Sequence, residues 1–199
     1  MKTILIDDLK GHEITEPTCI VFFGTEGWEE SKKAKFELRG GGAELTFLGF
    51  IIGKQSSSFS FETVSHHSVP ETKAHYHIRA ALFDEASIDY KGNLVIDKPA
   101  QLADTYLAHH TLLLSDKARA RTTPSLEIEA DDVKAGHAAT IGKVDKELLY
   151  YLQTRGIPEQ TAEQLLIGAF FEDQLQMIPD EKIRDELRER IISSLPFSV

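Results

Sequence analysis

The sequence predicts an all-β body followed by a short helical segment at the C-terminal end. Two observations carry this. From Phe59 to Val144, apolar and polar residues alternate in short runs separated by turn residues, and no helical pattern interrupts them. At Asp145 the period lengthens from two to that of a helix, and helical patterns then continue towards the C-terminus. The chain therefore divides into a β core over 1–144 and a helical segment over 145–199.

Taken in order, Ile4 to Ile6 and Ile20 to Phe23 are short apolar runs read as strands, with turns at Gly11 and Pro17. Phe36 to Leu38 meets Gly40-Gly41-Gly42. No Gly-Lys-Ser/Thr follows these glycines, so they read as a tight turn between strands rather than a phosphate cradle. Leu45 to Ile52 is a longer apolar strand, and Gln55 to Ser58 is a polar break. Tyr76, Ile78 and Leu82 share one face of the next run, with His75, His77 and Arg79 on the other. Ile88, Leu94 and Ile96 continue the alternation around a turn expected at Lys91-Gly92-Asn93. Leu112, Leu114, Leu126, Ile128 and Ala130 complete it. A further turn is expected at Ala135-Gly136-His137. The pattern suits a sandwich or barrel and a parallel β-helix equally, because alternation reports faces and not pairing partners.

Asp145 is the expected N-cap of the first helix, and Gly156 its stop. Pro158 suits the first turn of a second helix, whose apolar stripe is read as Ala162, Leu165, Leu166, Ala169 and Phe170. Pro179 and Asp180 open a third, with Ile183, Leu187 and Ile191 on its apolar side.

With 199 residues, 41% of them hydrophobic, the chain can bury a substantial core. A net charge of -10 argues against nucleic acid and against anionic membrane surfaces. No run has the ~20 apolar residues of a membrane span, and the first residues do not read as a signal peptide. Cys19 is the single cysteine, which excludes an internal disulfide and suits a reducing cytoplasm.

His75 and His77 lie two apart on one strand face, a spacing that can share a metal and forms half of a cupin-type site. A cupin would place a glutamate four or five residues further on, where this chain has Ala81 and Leu82. Two exposed strand histidines are the competing reading, and a small metal-dependent β-barrel enzyme is the rival function.

One long stretch, LEIEADDVKAGHAATIGKVDKELLYYLQTRGI, resembles the C-terminal signature of the SufB/SufD family of iron–sulfur cluster assembly proteins, the SufD branch more than the SufB branch. The resemblance extends from Ser65 to Phe171 and includes IRAALFDEASIDYKGNLVIDKPAQLADTY and LLLSDKARARTTPSLEI. It implies a right-handed parallel β-helix with helices at the C-terminal end. It also implies a non-enzymatic assembly subunit of SufD type, paired with a SufB-like subunit or a second copy of itself, and docked to a SufC-like ABC ATPase. His137 matches a family histidine implicated in cluster assembly. Tyr151, Arg155, Gly156, Ile157 and Phe170 match the region that docks the ATPase, and their aromatics could instead seal the end of the β-helix. The chain departs from the family where Ile128 replaces an essential SufB cysteine, where Ala138 replaces a SufB glutamate, and where Ala135 replaces a common SufD cysteine. One thiol cannot hold a cluster. The expectation is no stable cluster in the isolated chain, and at most a transient iron or iron–sulfur cargo shared with a partner. A β-helix interaction module that has lost cluster chemistry is the third reading.

Overall fold

The computed structural model describes residues 1–196. Eleven strands come first: β1 (Lys2–Ile6), β2 (His12–Ile14), β3 (Thr18–Gly24), β4 (Lys32–Leu38), β5 (Glu44–Gly53), β6 (Ser58–His67), β7 (Lys73–Leu82), β8 (Ser87–Ile96), β9 (Asp104–Leu113), β10 (Arg119–Ile128) and β11 (Lys134–Gly142). Three helices follow: α1 (Lys146–Thr154), α2 (Glu159–Leu175) and α3 (Glu181–Ser194).

Every strand pair is parallel. Odd strands form one six-stranded sheet and even strands a five-stranded sheet. The chain thus coils from one sheet to the other and back, a parallel β-solenoid. One coil takes about 30 residues: His75 bonds Asp104 across 29 residues, and Lys117 bonds Glu85 across 32. The topology rules out the cupin-like barrel, whose strands are largely antiparallel.

The lumen between the sheets holds the main core. Phe36, Phe47 and Tyr76 stack with ring centroids 5.3 to 5.9 Å apart. Trp28 enters from a side loop and meets Phe59 and Phe61 edge-on at 5.3 and 5.6 Å. Gly92 lies inside β8 and not in a turn. A Cβ there would stand 2.1 Å from Leu107 Cδ1 and 2.8 Å from the Tyr90 hydroxyl. The glycine is needed because the lumen has no room for a side chain, so the local turn signal misleads. The real corners turn on residues with no glycine signature: Gln55, Glu71, Asp84 and Leu102 take φ of 54°, 58°, 48° and 62°. Stacked coils hold these strained corners, with Gln55 N–H on Asp84 Oδ2 (2.8 Å) and Leu102 N–H on the Asp132 carbonyl (2.6 Å). The triple glycine is a true turn, closed by Ala43 N–H on the Gly40 carbonyl at 2.9 Å, with Gly42 at φ 79°.

The helices form where the sequence places them. Asp145 Oδ1 accepts from Glu147 N–H (2.8 Å) and Leu148 N–H (3.2 Å), Asp180 caps α3 the same way, and Gly156 takes φ 85° after α1. The structure adds where they pack. α2 and α3 lie across the outer face of the six-stranded sheet, where Ile167, Phe171, Leu175, Leu187 and Ile191 pack on Val21, Phe23, Leu48, Phe50 and Ile52. The reason is legible in β3 and β5, whose apolar runs are continuous and hence buried on both faces. The inward side of α2 is Ala162, Ile167, Phe171 and Leu175, while Leu165 is exposed. No helix of the described residues is long and apolar enough to cross a membrane.

Candidate functional site

The two ends of the solenoid differ. At the N-terminal end a shortened coil closes the lumen: Lys2 stands beside Thr18, and Leu9 and Ile14 are buried under it. β1 and β2 are the outermost strands at that end and β10 and β11 at the other, and among the described residues no further strand stacks on either pair. The inward-facing side chains of β10 and β11, which in any earlier coil would be core, meet solvent. Leu126 is 38% exposed, Ile128 41% and Ile141 46%. Unpaired strand edges beside exposed apolar side chains form a template for pairing.

His137 lies in this end layer. It is a strand residue of β11 and not part of a turn. The parallel register aligns it with Leu107, Tyr76 and Phe47, so it continues the inward-facing column and is exposed because no coil covers it. Ala135 stands two residues before it on the same side, and Ile128 ends β10. The end layer therefore offers one imidazole and no thiol. Cys19 lies on the outer face of β3 under the helices, where burial pushes its thiol up to about 12. It is not a thiolate and not near the end layer.

His75 and His77 share the outer face of β7 with Arg79, as alternation predicts, but they do not converge on a third ligand. His75 Nε2 is 3.1 Å from Asp104 Oδ1. His77 lies beside Tyr106, with ring centroids 6.5 Å apart, and burial first, then the neighbouring His75, holds it down to about 4. Among the described residues no three His, Cys, Asp or Glu side chains are grouped to hold a metal.

The helical candidates separate into two groups. Tyr151 and Arg155 face outward, the guanidinium 5.2 Å over the ring of Tyr151, and Gly156 is exposed beside them with Ile157 half-buried. Phe170 instead faces the sheet, where Arg79 lies 5.1 Å over its ring and donates to its carbonyl oxygen. The aromatics do not seal the end of the solenoid: Tyr150 and Tyr151 are 68% and 51% exposed. Sequence reasoning missed an apolar groove of about 450 Å³ between α2 and α3, lined by Leu165, Leu175, Ile191 and Ile192. Its signal was present, since α2 carries apolar residues around most of its circumference.

The family description "SUF system FeS cluster assembly, SufBD core domain" matches residues 24–170. The chain belongs to the SufBD family. A Mycobacterium tuberculosis protein described as an iron–sulfur cluster assembly SufBD family protein is 32% identical over 186 residues, covering 89% of this chain and 46% of the relative. The SufD proteins of Bacillus subtilis and Escherichia coli are 34% and 35% identical over 137 and 113 residues, covering 69% and 57% of this chain and 31% and 27% of theirs. The chain thus spans less than half the length of these relatives. As a member of that family it contributes a parallel β-solenoid followed by three C-terminal helices. The SufBD match reaches from β3 to α2 and so takes in both the open end and the α1–α2 turn.

Proposed function

We propose that the chain is a SufD-like, non-enzymatic subunit of a cytoplasmic iron–sulfur assembly complex, and that it pairs through the open end of its solenoid with a SufB-like subunit or a second copy of itself. One observation carries the reading: at the N-terminal end Leu9 and Ile14 are buried, whereas the other end exposes Leu126, Ile128 and Ile141 beside its two edges. Both ends carry unpaired edges, but the exposed inward-facing apolar residues lie at this one, which favours a closed pair through it over a filament, which uses both ends. His137 lies in that layer, so pairing would bring it against the partner, which completes the site for the transient iron or cluster cargo with ligands this chain lacks. Imidazole is a competent iron ligand, and the neighbouring Ile128 and Ala135 supply none. The exposed Tyr151, Arg155, Gly156 and Ile157 are assigned to docking of a SufC-like ATPase, whose ATP-driven closure would rearrange the pair. This rests on the family and on the outward aromatic and guanidinium surface, which interfaces favour.

The test is His137→Ala in the assembled complex, with cluster yield and melting temperature measured on the same protein. Loss of cluster production with an unchanged melting temperature is expected, because His137 is exposed. A normal yield per folded complex would refute the role of His137. It would favour the second reading, a pairing module without cluster chemistry, to which the absence of thiols in the end layer already points.

A further inference from the structure

The pairing end is made of two strands from two different sheets, so a partner meets both in one register only if their separation is set. Backbone ladders fix each edge strand to its own sheet: β10 to β8 and β11 to β9. Neither ladder fixes β10 relative to β11. One buried side chain bridges the lumen between them. His109 of β9 is fully buried, and its backbone pairs with Ala139 of β11. Its ring crosses the lumen and brings Nδ1 to 2.6 Å from Thr122 Oγ1 of β10. The ring is itself held on every side. Thr111 Oγ1 is 3.3 Å from Nε2, and the Tyr90 ring meets it edge-on at 5.0 Å. The Tyr90 hydroxyl is anchored at 2.6 Å on Thr63. A buried imidazole with both nitrogens engaged is a rigid spacer, where an aliphatic side chain would set only a soft contact.

We propose that His109 is the positioning residue of the open end, its bond to Thr122 holding β10 at a fixed distance from β11 so that a partner engages both edges at once. The proposal rests on the pairing reading above and extends it from the surface to the side chain beneath it. It also explains why a polar residue occupies a lumen column otherwise filled by Ile78 and Ala139.

The experiment uses the full chain and three variants: His109→Ala, His109→Gln, which keeps a side-chain donor, and Thr122→Val, which removes the partner hydroxyl at constant shape. Self-association is measured by sedimentation, and amide exchange is followed over Ala120–Leu126. His109→Ala and Thr122→Val are expected to weaken pairing about tenfold, the size carried by one buried hydrogen bond at 1.4 kcal/mol per decade. β10 should exchange faster in both, and His109→Gln should recover most of each effect. A general loss of stability would not be rescued by glutamine, nor confined to β10. Should His109→Ala fail to fold, Thr122→Val decides alone. Unchanged pairing and unchanged β10 exchange in Thr122→Val overturn the proposal. A wild-type chain that is monomeric overturns self-pairing, and β10 exchange in the variants then decides the role of His109 by itself.

Discussion

Acid should unfold this protein early, and two lumen histidines set the size of the effect. His67 is buried, with Nδ1 2.8 Å from Thr72 Oγ1 and Nε2 3.1 Å from Ser65 Oγ. Thr72 already donates to the Val69 carbonyl, so its oxygen accepts from His67 Nδ1–H, and Nε2 accepts from Ser65. Protonating Nε2 would turn the Ser65 hydroxyl from donor to acceptor and would bury a positive charge. Burial first, then the charge of His66, holds His67 down to about 4, and burial then His110 hold His109 down to about 3. In the unfolded chain both take a proton near the ordinary value of about 6.5. Below that pH the unfolded state binds more protons than the folded state, so stability falls as pH falls. The contribution is complete above the unfolded value and is lost progressively from about 6.5 down to the folded values. At pH 5 each histidine has forfeited about 2 kcal/mol, at 1.36 kcal/mol per pH unit over the interval below 6.5. Together they remove about 4 kcal/mol from a domain whose total stability is typically about 5–15 kcal/mol. His77, partly exposed and also held near 4, adds a smaller loss. Glu37, held down to about 2 by bonds from Lys35 then Arg39, remains ionised at pH 5 and contributes nothing in this window. Glu163, raised by burial, works weakly in the opposite sense. Urea melts at pH 7.5 and 5.0, followed by Trp28 fluorescence at one fixed protein concentration, measure the difference. His109→Gln should remove about half of it. Stability equal within about 1 kcal/mol at the two pH values, or a pH dependence unchanged by His109→Gln, would refute the reasoning.

Phe171→Ala should cost about 3–5 kcal/mol, because the ring fills the seam between α2 and Phe50 of the sheet at 6.2 Å, and the melting temperature reads the loss. Gly92→Ala should destabilise by about 1–3 kcal/mol through overpacking against Leu107, and Leu107→Ala in the same chain should recover part of it. Arg155→Glu should weaken binding of a SufC-like ATPase in calorimetry without altering the melting temperature, since Arg155 is exposed and its guanidinium rests on Tyr151 of its own helix. Reconstituted anaerobically with iron and sulfide, the isolated chain should show no stable cluster absorption, because its single thiol is buried and protonated.

The sequence by itself determined what local physics controls. Alternation placed Tyr76 and Ile78 inward and His75, His77 and Arg79 outward. Asp145, Gly156 and Asp180 bounded the helices, since a cap needs only the residues one turn away. The stretch around His137 was enough to point to the family. Tertiary structure alone decided which strands pair, because each parallel partner lies about one coil away along the chain and leaves no nearby signal. It turned Gly92 from an expected turn into a gap for Leu107, and showed that coil stacking supplies the corners at Gln55, Asp84 and Leu102. It placed α2 and α3 on the sheet face and left the last coil uncovered. His137 is the residue where the two meet. Its place in an alternating strand assigns it to the inward face, but whether that face is core or surface depends on the presence of one more coil, and among the described residues none stacks on it.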